Sequence, residues 1–94
     1  MIEKPTGLPA HLQRLVDLGV SGIDIMHGQL KIDMLAAEAE FSAAAQVEEE
    51  NDYSDAMESM DRKYAEGFLD AVVAMYQLTY DISFAIADKE KDND

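Results

Sequence analysis

Two long stretches of this chain carry apolar residues at three- and four-residue steps, the spacing of one face of an α-helix. In the first, Leu12, Val16, Ile23, Met26, Leu30, Met34, Ala37, Phe41 and Ala44 recur in phase, and the alanine-rich segment LAAEAEFSAAAQVEEE adds high helix propensity. Pro9 suits a first helical turn, where its missing N–H costs nothing. The second run passes through Met57, Met60, Tyr64, Phe68, Ala71, Met75, Leu78, Ile82 and Ile86. Asp52 and Ser54 precede it as N-cap candidates, and Asp55 and Glu58 lie near its positive end. The pattern predicts an all-α fold: an antiparallel helical hairpin with a turn near residues 49–54. A single domain is expected over residues 9–88, between a flexible arm at 1–8 and an acidic tail at 89–94.

Residues 22–34, GIDIMHGQLKIDM, also fit a β-hairpin turning at His27-Gly28, with Ile25 facing Leu30 and Ile23 facing Ile32. No other segment resembles a strand, and two strands alone are marginal in water. The helical reading is preferred because it places Leu18, Ile25 and Ile32 in a second apolar column, nearly opposite Val16, Ile23 and Leu30. Gly19 and Gly22 are expected to break or kink this helix, leaving a short helix over 9–18 ahead of a longer one.

From Phe68 to Ala87 the sequence FLDAVVAMYQLTYDISFAIA is apolar on nearly every side of a helix. Such a helix must be enclosed by neighbours. It does not suit a membrane, because Asp70, Gln77 and Asp81 would lie in hydrocarbon, where a central Asp costs about 2.5–3.5 kcal/mol. One partner helix cannot cover the whole circumference. If Phe68, Met75, Leu78 and Ile82 face the first helix, Val73 and Tyr80 are left for a second subunit. The expected assembly is a dimeric four-helix bundle whose interface draws on Ile25, Ile32, Val73, Tyr76, Tyr80 and Phe84.

Charge narrows the partners. Twenty acidic residues against seven basic ones give a net charge of −13, which excludes an ordinary nucleic-acid binder. The acidic residues gather in EEEND at 48–52 and DKEKDND at 88–94. They read either as a solvating surface or as an imitation of DNA that blocks a DNA-binding protein. The absence of cysteine removes disulfide and thiolate chemistry and fits a reducing compartment. MIEKPTGLP has no apolar core of a secretory signal, so a cytoplasmic location is expected.

Candidate chemistry is sparse. Asp24 and His27 have the Glu-x-x-His type of spacing used in metal-carboxylate bundles, and Glu66 and Asp70 lie one turn apart. The other histidine, His11, is four turns away, and Asp24 shares a polar column with Asp17, Lys31 and Glu38, so no metal or other cofactor is expected. Ser21, Ser42, Ser54, Ser59 and Ser83 fall in no nucleophile motif, and no glycine-rich phosphate loop occurs. Asp70 and Asp81 are separated by about 16 Å of helix, too far for paired acid–base work. With Lys63, Glu66 and Gln77 they form one polar stripe. No catalytic residue is assigned, and the chain is read as non-enzymatic.

Tyr64, Phe68, Tyr76, Tyr80 and Phe84 recur at four-residue steps beside Met57, Met60 and Met75, a composition that suits core packing or a partner-binding groove. The run YAEGFLDAVVAMYQLTYDISFAIADKEK resembles the second half of small acidic helical accessory proteins of actinobacterial phages. That resemblance implies a factor that binds a host protein in the host cytoplasm rather than a catalyst. A virion or assembly component and a metal-carboxylate helical bundle are the remaining alternatives. The expected partners are a second copy of the chain and a host protein, without direct nucleic-acid or membrane binding.

Overall fold

A computed structural model describes residues 7–92 of the chain. They form three helices, α1 (Ala10–Asp17), α2 (Gly22–Glu50) and α3 (Ala56–Asp92), with no strand among the described residues. The segment 22–34 is helix throughout. Its His27-Gly28 pair lies inside α2, so the hairpin alternative is not adopted. The arm expected over 1–8 lies outside the described residues except for Gly7 and Leu8. At the other end α3 continues through Asp92, past the expected domain limit.

The break between α1 and α2 falls at the glycine the sequence singled out. Gly19 adopts φ +82°, a left-handed conformation that glycine enters without steric cost. Gly19 N donates to the Val16 carbonyl and Val20 N to the Leu15 carbonyl, the paired bonds of a Schellman stop. Ser21 then caps α2, its hydroxyl accepting from Asp24 N at 3.3 Å.

The α2–α3 turn closes through Asp52 and Tyr53, both at positive φ. Neither expected N-cap serves as one. Asp52 is committed to the turn, and the Ser54 hydroxyl donates back to the Asn51 carbonyl at 2.6 Å. Asp55 does the work instead, accepting from Met57 N at 2.8 Å.

α2 and α3 pack along a seam of alternating three- and four-residue steps. α2 contributes Ile23, His27, Leu30, Met34, Ala37, Phe41, Ala44 and Glu48; α3 contributes Glu58, Arg62, Ala65, Leu69, Val72, Tyr76, Thr79 and Ser83, all buried or half-buried. At its centre Ala37 and Val72 are 1% and 3% exposed. Full burial of a valine side chain contributes about 1.5–3 kcal/mol, so this narrow apolar centre supplies little of what a domain needs. The hairpin is correspondingly elongated, 59 × 35 × 26 Å, with a radius of gyration of 18.3 Å. A compact chain of this length has a radius of about 12 Å.

Candidate interaction surface

Polar groups hold the two ends of the seam. At the turn end the guanidinium of Arg62 pairs with the Glu48 carboxylate, which is 4% exposed, and also donates to Glu66 at 3.2 Å. At the open end His27 stacks on Tyr76 with ring centroids 4.5 Å apart. The Thr79 hydroxyl donates its one proton to the Tyr76 carbonyl at 3.0 Å, so at 2.9 Å it must accept from His27 Nδ1. One turn further, the Ser83 hydroxyl donates to Asp24 at 2.9 Å. The hydroxyls of Ser21 and then Ser83 hold the Asp24 carboxyl below its ordinary pKa; desolvation opposes them, and the nearby His27 charge adds a smaller lowering effect.

These pairs select which column of α3 meets α2, and the result corrects one expectation. Phe68, Met75, Leu78 and Ile82 do not face the first long helix; they are 40–58% exposed. The column that faces α2 is the neighbouring one through Arg62, Ala65, Leu69, Val72, Tyr76, Thr79 and Ser83. Small side chains let the backbones approach, and each polar member finds a partner across the seam or in its own helix. Turning α3 by one column would strand Glu48 and separate Thr79 from His27.

The larger apolar residues of α3 therefore point outward. Met57, Met60, Tyr64, Phe68, Ala71, Met75, Leu78, Ile82 and Ile86 keep their three- and four-residue spacing on one exposed flank, with Tyr64 at 79%. At 1.5 Å per residue this stripe is about 44 Å long. Asp61 lies at its margin. Soluble single chains seldom expose contiguous apolar surface on this scale.

The six residues expected at an interface divide. Val73, Tyr80 and Phe84 are exposed on the opposite flank of α3, with Tyr80 and Phe84 ring centroids 6.5 Å apart, and Ile32 is exposed on α2. Tyr76 is drawn into the hairpin seam by His27. Ile25 is half-buried where α1 crosses the open end. There Leu8, Leu12, Ile25, Met26, Leu30 and Met75 line an apolar cavity of about 310 Å³. His11 Nε2 donates to Gln29 Oε1 at 3.2 Å beside it. The outward role of Phe68, Met75, Leu78 and Ile82 was missed in the sequence. The available signal was that Glu48 and Arg62 continue the heptads of Ala37–Ala44 and Ala65–Val72.

Lys63, Glu66, Asp70, Gln77 and Asp81 form an exposed polar edge, with Gln77 donating to Asp81 at 3.0 Å. Asp24 and His27 turn to Ser83 and Thr79, and among the described residues no group of three or more His, Asp or Glu is placed to hold a metal. Among the same residues no helix is long and apolar enough to cross a membrane. Comparison with protein-family models, curated sequences and solved structures gives no match.

Proposed function

We propose that this chain is a non-enzymatic protein–protein interaction module that presents the outward stripe of α3 to another helix. The observation that carries this reading is the way α3 is turned: beside Leu69, Val72 and Tyr76 it gives mostly small and polar side chains to the seam with α2, while most of its larger apolar ones stand outside in helical register. A surface of that periodicity fits a helical partner, since an apolar stripe on one helix packs its ridges into the grooves of a second. Pairing two hairpins in this way yields a dimeric four-helix bundle, and the phage-like C-terminal run supports a host protein as a further target. The exposed carboxylates of Glu49, Glu50 and Asp52 help to keep such a surface soluble.

The test is a titration of purified partner against wild-type protein, Met75→Asp and Lys63→Glu. Met75→Asp is expected to abolish binding while Lys63→Glu, on the polar edge, leaves it within twofold. Equal affinity for all three would refute the reading.

A further inference from the structure

We propose that two copies of this chain pair antiparallel through their α3 stripes, with the Phe68 ring of each seated against the partner's Met75 in the cavity beneath α1. The inference rests on the reading of the stripe as an interaction surface and supplies its partner and geometry.

In an antiparallel two-fold contact residue i of one copy meets residue j of the other and j meets i, so each large apolar side chain needs an apolar mate at its mirrored position. The stripe runs from Met57 to Ile86, so its midpoint lies between residues 71 and 72. Phe68 and Met75 stand equally far from that point, as do Met57 and Ile86, and the intervening large residues match to within one position. Ala71, the one small member, falls at the centre, where two crossing helices come nearest, at about 8–10 Å between axes. Antiparallel alignment about this point brings Phe68 of one copy opposite the partner's Met75. Met75 lines the cavity of about 310 Å³ that Leu8, Leu12, Met26 and Leu30 leave open. Each copy thus offers a projecting ring and an apolar hole, and the two-fold axis matches both at once.

Orientation follows from charge as well. Lys89 is the next position of the stripe after Ile86. Antiparallel pairing sets it near the partner's Asp55, whereas parallel pairing would oppose two Lys89 ammonium groups. Area agrees with a second copy as the occupant. The chain exposes 7483 Å², where a compact chain of 10.4 kDa exposes about 5,400 Å². The excess of about 2,000 Å² comes with the elongated shape, and in size it matches the roughly 1,000–2,500 Å² that each partner of an obligate dimer buries.

The sequence has neither cysteine nor tryptophan, so single substitutions report without background. Ala71→Cys is expected to oxidise to a covalent dimer. Spin labels on Met57→Cys should lie about 44 Å apart, the helical rise between residues 57 and 86, and a mixture of Met57→Cys and Ile86→Cys should cross-link. Phe68→Trp should shift its emission to the blue as concentration drives association, and Phe84→Trp, on the other flank, should not. A monomeric chain, a short label distance at residue 57, or an unshifted Phe68→Trp in a confirmed dimer would each overturn the proposal. If the chain is monomeric and another protein occupies the stripe, this geometry fails and the interaction-module reading stands. If Met75→Asp alters neither self-association nor partner binding, both fail.

Discussion

The His27 ring stacks on Tyr76 across the hairpin, their centroids 4.5 Å apart, while Met75, one residue before Tyr76, lies outside that seam at the cavity beneath α1 and is 47% exposed. This neighbouring pair shows how α3 is divided: the column that carries hydrogen-bonding groups faces inward, and the column richer in hydrocarbon faces out. An arrangement of that kind gives the hairpin its register through polar contacts and leaves most of the large apolar side chains of α3 exposed.

His27→Ala removes the stacking on Tyr76 and the donor to Thr79. Both are part-buried, and Thr79 keeps its bond to the Tyr76 carbonyl. The expected loss is about 1–2 kcal/mol, from an aromatic contact of about 0.5–1.5 kcal/mol and a hydrogen bond of about 1 kcal/mol. Urea denaturation with unchanged m value would measure it.

Arg62→Met leaves the Glu48 carboxylate buried and unpaired. Because Arg62 retains a quarter of its exposure, the cost is about 2–3 kcal/mol, below the 3–5 kcal/mol of a wholly buried pair. The double variant Glu48→Leu/Arg62→Met should recover most of that loss, since replacing both partners removes the unpaired charge. A double-mutant cycle in thermal melts decides whether the pair sets register or supplies net stability.

Asp24 makes the open end sensitive to acid. Its folded pKa lies below the ordinary 3.8, chiefly through the Ser21 and Ser83 hydroxyls. A carboxyl shifted in this direction stabilises the fold at every pH above its ordinary range, and that contribution disappears as pH falls through the lowered folded value. The melting-temperature difference between wild type and Asp24→Asn should therefore stay constant from neutral pH down to the ordinary carboxylate range, then close on further acidification. A constant difference throughout would show that Asp24 acts through shape alone.

Leu78→Glu and Val73→Glu separate the two flanks of α3. Leu78 belongs to the outward stripe and is 58% exposed in the single chain; Val73 is on the opposite flank at 40%. Burying a carboxylate at residue 78 should weaken self-association at least 100-fold, about 2.7 kcal/mol. Val73→Glu, close to Asp70 and Gln77, should change the association constant less than fivefold. Sedimentation velocity over a concentration series distinguishes them, with helicity checked by circular dichroism.

Much of the fold is legible in the sequence because its signals are local. Gly19 ends α1 where a left-handed residue is needed, and Pro9 sits at the entry to α1. The turn falls within one residue of the acidic, asparagine-containing segment that interrupts both apolar runs. The helical outcome for residues 22–34 follows from the absence of any further strand to pair with a hairpin. What could not be read locally is the facing of α3. Its two columns share the same spacing and differ by about a quarter turn, and the larger side chains of Phe68, Met75, Leu78 and Ile82 favour the wrong one as the core. The choice is made by Glu48 with Arg62, His27 with Thr79 and Asp24 with Ser83. These pairs are 14, 52 and 59 residues apart in sequence and come together only in the folded hairpin.

If a second chain covers the outward stripe, the molecular mass of the folded protein in solution must be that of a dimer. Sedimentation equilibrium at micromolar concentration should give twice the 10.4 kDa chain mass, falling to the single-chain value for Leu78→Glu with helicity retained. A wild-type protein that is fully helical, cooperative in melting and 10.4 kDa across that concentration range would show that no second chain covers the stripe.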